Sequence, residues 1–258
     1  MDSLAAERLG FWDERAQLGF AAGSNDTNLK KIEIKALDAV IPRAGLILDA
    51  GCGNAHTLAA LAESREQAKM IGFDYSSLMV QEGQALMQSK GLQHRVELTQ
   101  ANLLDLDFYE SSKSQYECVY TQRSLINLNS FSDELVAIKS LWSLVKPGGL
   151  LVLCESFEDG LAEINAFRES IGLDVISRPW HNSYLTLELL GDIAEELGAD
   201  HQVIEFSGSY YFVSRVVHAW QASNSKEEPS YSNPVNLMSL DLPAISLCGQ
   251  SKIVVFSK

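Results

Sequence analysis

The segment Leu46, Ile47, Leu48, Asp49, Ala50, Gly51, Cys52, Gly53, Asn54, Ala55 brings together residue types that can build a ligand site. An apolar run ends in a carboxylate and then in a glycine turn. Gly51 and Gly53 lack a Cβ and reach positive φ without strain, so the chain can turn sharply and a ligand can lie against its backbone. A helix starting just beyond presents unpaired N–H groups to the same crevice. Asp74 closes the next apolar run, where a carboxylate can accept two hydrogen bonds from a ribose diol. These groups suit a dinucleotide and an adenosyl cofactor equally.

The next positions separate the two. A dinucleotide fingerprint needs a third glycine where this chain has His56, whose bulk would crowd both a pyrophosphate and the helix packing. NAD, and with it a nicotinamide oxidoreductase, is disfavoured.

The elements that must hold these groups are short apolar strands alternating with amphipathic helices, the pattern of a parallel sheet covered on both faces. Strands are expected at Leu46 to Asp49, Met70 to Asp74, Val96 to Thr99, Glu117 to Thr121 and Leu150 to Glu155, the last after the turn Lys146, Pro147, Gly148, Gly149. Helices are expected at Thr57 to Ser64, at Ser77 to Lys90 with Gly91 as its C-terminal stop, and at Asp133 to Leu144. Farther on come a helix from Thr186 to Leu197 ended by Gly198, a strand within Tyr210 to Trp220, a loop over Ala222 to Pro234 and a strand from Lys252 to Phe256. Residues 1–30 read as an N-terminal lid, a helix followed by a turn at Ala22 to Thr27. Residues 156–185, of mixed polarity and no clear period, read as an inserted substrate lid on a single domain spanning 1–258.

Ligands of such sheets bind outside the carboxyl ends of the strands, which puts Thr121, Gln122, Arg123, Glu155 and Ser156 near any reacting group. Arg123 either grips a carboxylate or phosphate of a substrate or makes a surface ion pair. In the inserted segment Arg178, Pro179, Trp180, His181, Asn182, Ser183, Tyr184, His181 is a candidate general base with Trp180 and Tyr184 as pocket walls; the alternative is a histidine hydrogen-bonded within a packed lid. His56, His94, His201 and His218 read as helix, turn or strand residues.

With 34 acidic against 20 basic residues the net charge is -14, which disfavours nucleic acid as a partner. The basic cluster Lys30, Lys31, Lys35 shares its helix with Glu33 and reads as a solvated face. No apolar run approaches the ~18 residues of a membrane span, and the amino terminus has no signal-peptide pattern, so a cytoplasmic chain without membrane insertion is expected. Cys52, Cys118, Cys154 and Cys248 lie far apart beside apolar runs and read as buried thiols. No metal is expected, and the oligomeric state is left open, a homodimer included.

From about residue 40 to 156 the chain resembles the class I S-adenosylmethionine-dependent methyltransferases of small-molecule type. The resemblance rests on Asp49, Gly51, Gly53 with Ala55 replacing a last glycine; Phe73 to Ser76; Gln100 to Asp105; Tyr116 to Arg123; and Val145 to Leu150, in that order. It implies an α/β, Rossmann-like, doubly wound sheet of seven strands, mostly parallel with an antiparallel last strand. It further implies that Asp49 and the Gly51 to Gly53 backbone hold the methionine end of S-adenosylmethionine, Asp74 the ribose, and Asn102 with the Leu103 backbone the adenine, with Ala50, Tyr75, Gln122, Trp12 and Gly23 also at the cofactor. Most relatives have Asp where Asn102 stands; an amide oxygen can still accept from the adenine amino group. The expected reaction is methylation of a small polar metabolite at oxygen, a hydroxyl or carboxylate, sugars included. The alternatives are nitrogen methylation and an inactive cofactor-binding partner subunit.

Overall fold

The computed structural model describes residues 3–105 and 115–258. Met1 and Asp2, with which the segment read as an N-terminal lid begins, lie outside them. Along β1 (Ala44–Ala50), Ile47 and Leu48 are both fully buried and join different hydrophobic clusters, one on each face of the sheet. That is what an apolar strand without polar alternation requires: both its faces must be covered by helices.

Six further strands complete the sheet: β2 (Gln67–Asp74), β3 (Val96–Gln100), β4 (Tyr116–Gln122), β5 (Val145–Ser156), β6 (His201–Glu205) and β7 (Ser251–Ser257). Their order is β3-β2-β1-β4-β5-β7-β6, with β7 antiparallel to β5 and β6 and the other pairings parallel. The seven-stranded Rossmann-like sheet is therefore the one expected. β1 pairs with β2 on one side (Ala50 opposite Phe73) and with β4 on the other (Asp49 opposite Tyr120). The strand order reverses there, which opens a crevice beyond the carboxyl ends of these strands.

Helices α1 (Ser3–Arg15) and α2 (Thr27–Val40) precede the sheet, joined by a 3-10 stretch, Ala16–Ala21. One face is packed by α2, α3 (His56–Glu63) and α4 (Ser77–Ser89), the other by α5 (Phe131–Leu144) and α7 (Leu187–Leu197), with α6 (Glu158–Ser170) between these last two in sequence. Helix starts are fixed by side chains: Asp26 accepts from the Leu29 N–H, Ser76 from Met79, Ser130 from Asp133 and Thr186 from Leu189. Gly91 and Gly198 end α4 and α7 at φ of +68° and +60°.

Three stretches differ from the sequence expectation. Tyr210 to Trp220 is no strand: α8 (Gly208–Tyr211), a π-helical stretch Phe212–Val217 and α9 (His218–Ser225) form a helix, and the edge strand is β6 instead. Tyr and Val favour strands only where a pleated surface receives them, whereas here Tyr210, Tyr211 and Val216 bury against Leu29, Ile164 and Cys248. Second, the segment read as an inserted lid with no clear period contains α6, whose buried stripe is only Leu161 and Ile164 beside Gly160, too narrow to show a period. Third, the turn Lys146 to Gly149 is a bulge inside β5, where the register with β4 shifts between Tyr116 and Cys118. The loop expected over Ala222 to Pro234 is shorter, because α9 runs on to Ser225 and a short helix α10 (Pro234–Met238) begins at its far end. No described helix is long and apolar enough to cross a membrane.

Candidate functional site

The strand-to-helix turn after β1 makes the floor of a cavity of about 250 Å³. Gly51 sits at φ +81°, and a Cβ there would lie 2.3 Å from the Cβ of Ser124, so only glycine fits. The Gly51 and Cys52 N–H groups both donate to the Phe73 carbonyl, tying the turn to β2. Ala55, the residue in place of a last glycine, adopts the left-handed conformation at φ 59° and is fully buried. The glycine-like backbone is thus kept without the glycine.

Two carboxylates face this cavity. Asp49, 2% exposed, accepts the Tyr120 hydroxyl on Oδ2 at 2.7 Å, while its Oδ1 is buried without a partner. Asp74 accepts the Gly53 N–H on Oδ2 and the Ser76 N–H on Oδ1, both at 2.9 Å. Burial pushes Asp49 up to about 7, with the nearby Asp74 charge adding to it and the Tyr120 bond opposing it. Burial also raises Asp74, to about 6, against the two backbone donors.

The amino-terminal segment roofs the site. Ala5, Arg8, Trp12, Ala22 and Gly23 belong to the cavity wall. The segment is fastened at several points: Asn54 Nδ2 donates to the Ala16 and Gly19 carbonyls, Ser76 Oγ to Asp13, and Arg8 to the Asn127 carbonyl and the Asn129 amide oxygen. Phe11 and Trp12 also stack with Trp180 and His181, the closest ring pair being Phe11 and His181 at 4.4 Å.

Of the residues expected to hold a cofactor, Asp49, Gly51, Gly53, Asp74, Tyr75, Asn102, Leu103, Gln122, Trp12 and Gly23 all stand in this wall. Ala50 does not; it is fully buried, and its carbonyl accepts the Ser124 hydroxyl. Asn102 Oδ1 accepts from the Leu104 N–H at 3.0 Å, so its amide also shapes the loop after β3. Gln122 is oriented at both ends, donating to Glu33 and accepting from Thr57. Arg123 lines the cavity and is ion-paired to the buried Glu33 at 3.3 Å, so the pair is internal rather than on the surface.

Trp180, His181 and Tyr184 stand outside the wall. Trp180 is 52% exposed, His181 touches Trp12, and Tyr184 lies by the Arg178 guanidinium. Burial and then the charges of Arg8 and Arg15 hold His181 below the usual histidine range, leaving a neutral ring whose Nδ1 has no partner. Glu155 is likewise behind the site, where it accepts the Ser124 and Leu125 N–H groups and fixes the loop after β4. All four cysteines are free thiols; three are buried, and Cys52 joins the wall.

Sequence reasoning missed Lys30. It was read with Glu33 as part of a solvated face, yet Lys30 is only 7% exposed, Glu33 is fully buried, and Lys30 lines the cavity. Residues three apart share a helix face, and this face of α2 packs inward. A Lys and a Glu there carry no apolar signal to reveal it. Arg8, Thr57, Ser124, Asn127 and Asn129 were missed similarly, being brought in by tertiary folding.

A glycine turn at a topological switch point, with a carboxylate ending each of two adjacent strands, defines a nucleotide-cofactor-binding α/β protein. Residues 43–176 match the family described as "Methyltransferase domain", and the chain belongs to that family of S-adenosylmethionine-dependent methyltransferases. Demethylmenaquinone methyltransferase of Geobacillus stearothermophilus is 25% identical over 170 residues, 64% of this chain and 70% of that protein. An O-methyltransferase family protein from Burkholderia thailandensis has a similar fold (TM-score 0.59, 14% identity, 89% of this chain and 56% of the other). So has geranyl diphosphate C-methyltransferase from Streptomyces coelicolor, solved with Mg2+, geranyl diphosphate and S-adenosyl-L-homocysteine (TM-score 0.56, 12% identity, 89% and 80%). The residues of this cavity fit such a cofactor: an orphaned oxygen on Asp49 suits an ammonium, and Asp74 retains lone pairs for a diol.

Proposed function

We propose that the chain methylates a small polar metabolite at oxygen, using S-adenosylmethionine held across the carboxyl ends of β1, β2 and β3. The observation that carries the cofactor part is the unsatisfied, buried Oδ1 of Asp49, a residue that lines the same cavity as Asp74. An unpaired buried carboxylate oxygen is costly unless a ligand completes it. In this reading Tyr75 lies near the ribose and Asn102 with Leu103 holds the adenine, all three being residues of the cavity wall.

The bound cofactor supplies a methyl group already activated on a sulfonium. The chain supplies proximity and alignment, and where the acceptor is a hydroxyl, a base. Arg123, steadied by Glu33, offers a guanidinium to an acceptor carboxylate or phosphate. His181, neutral and with a free Nδ1, is the candidate base, reached when the acceptor seats between α1 and the 156–185 lid; Trp180 and Tyr184 flank that entrance.

A second reading has one observation in its favour. Leu103, Leu104, Leu128 and Trp12 give the wall an apolar side, and the name of the Geobacillus relative implies a quinone acceptor. Incubation with methyl-labelled S-adenosylmethionine and acceptors of the two classes tests them. The proposal predicts label on polar hydroxy or carboxy compounds. Transfer only to an apolar aromatic ring, or to an amine, would contradict the oxygen assignment.

A further inference from the structure

Between β6 and β7 the chain makes a long excursion, and its last part, Leu237 to Leu247, is built inside out. Leu237, Met238, Leu242, Ile245 and Leu247 are 40 to 64% exposed, while the polar Asn236 and Ser239 beside them are buried. The inward side is tied down by hydrogen bonds. Asn236 Nδ2 donates to the Ser230 carbonyl at 2.8 Å, Ser239 Oγ to the Asn236 carbonyl at 2.7 Å, and Ser209 Oγ to the Pro243 carbonyl. The Glu163 carboxylate accepts the Cys248 N–H at 2.6 Å, and Leu240 packs on the cluster of Tyr210, Tyr211 and Cys248. The segment is therefore fixed from below with its leucines and methionine turned out. Hydrophobic side chains exposed singly are ordinary, but a run of them held outward marks a surface that another surface covers.

Charge narrows what that other surface is. From Pro229 to Gln250 the only charged residue is Asp241, in a chain that is 21% charged and carries a net -14. Two such chains repel over most of their surface, and the repulsion is least where neither carries charge. A bilayer surface would need Lys and Arg among the apolar residues, and this stretch has none. Apolar side chains with Met and few charges compose the core of a homodimer interface, and about a two-fold axis such a patch meets itself. We propose that the face from Leu237 to Leu247 docks a second copy of this chain, Met238 and Leu242 of each copy packing on the patch of the other. Because hydrogen bonds already hold the segment in place, docking orders little that was free. The pairing is independent of which acceptor is methylated.

Sedimentation velocity of the full chain from about 1 to 100 μM, a range that spans weak to firm association, tests this. Wild-type protein should sediment increasingly as a dimer. Met238→Glu combined with Leu242→Glu places carboxylates at the centre of the face and should weaken pairing by at least about 30-fold, the loss that central interface side chains give. Both side chains are exposed, so the melting temperature should hold. Val136→Glu, at an exposed apolar position on α5, should leave the dimer intact. Should the double variant fail to fold, Leu242→Asn alone carries the test, with pairing weakened at least about tenfold. Monomeric wild type throughout the range, or a dimer that survives these substitutions, would overturn the proposal. So would monomeric wild type that co-sediments with phosphatidylcholine and phosphatidylglycerol vesicles through the same residues, which would give the face to a membrane surface instead.

Discussion

Asp49 and Tyr120 are register partners on adjacent parallel strands, and the Tyr120 hydroxyl holds one Asp49 oxygen at 2.7 Å while the other is buried and unpartnered. The tyrosine orients the carboxylate from within the sheet and engages only one of its two oxygens.

That arrangement sets function against stability. Asp49 is raised to about 7 by burial, so the folded protein binds a proton that the unfolded chain releases near pH 4. A carboxylate raised in this way favours the fold at low pH and loses that contribution as pH rises through about 7. Asp49→Asn, which can still accept from Tyr120, should therefore melt higher than wild type at pH 8, by an amount on the order of 2–4 kcal/mol, with little advantage at pH 4. The same variant should lose S-adenosylhomocysteine binding by at least about tenfold. Thermal denaturation over this pH range, paired with calorimetry, checks both signs.

Gly51→Ala should lower the melting temperature and abolish measurable cofactor binding, because its Cβ would stand 2.3 Å from Ser124 Cβ at a φ of +81°. Left-handed strain alone costs about 1–3 kcal/mol. Ser124→Gly in the same background removes the clash and should restore part of the loss, measured as a double-mutant cycle.

His181→Ala should lower kcat about 100-fold and leave S-adenosylhomocysteine affinity within about threefold, since the ring stands outside the cavity wall. His181→Phe keeps the stacking on Phe11 and Trp12 and should not restore turnover. Wild-type turnover in His181→Phe would reduce the histidine to packing.

Arg8 clasps α1 to the loop at Asn127 and Asn129. Arg8→Ala should loosen the roof and speed dissociation of S-adenosylhomocysteine several-fold, with a smaller effect on association, as expected for a lid. Stopped-flow fluorescence of Trp12, which lines the cavity, reads both rates.

The legible parts of the sequence were those set by local rules. The Asp49 to Gly53 turn, the Asp74 strand end, the glycine stops at Gly91 and Gly198, and the sheet strands near the site each carry their own signal in a few residues. What escaped depends on distant packing. Lys30 and Glu33 look like any solvated helix pair until α2 lies against β1, β4 and Ser251. Tyr210 to Val217 has strand-forming side chains, but its aromatics bury against α2 and α6, so a helix wins. The inner stripe of α6 is two residues wide because Gly160 must approach the Gly249 carbonyl, where a Cβ would lie at 2.5 Å.

The account turns on where the nucleoside and its amino-acid tail lodge, and a diffraction structure of the protein crystallised with S-adenosylhomocysteine measures that directly. The ribose hydroxyls should meet the Asp74 carboxylate and the α-ammonium should meet Asp49 Oδ1. A fully occupied ligand elsewhere, or none in the cavity at saturating concentration, would contradict the account.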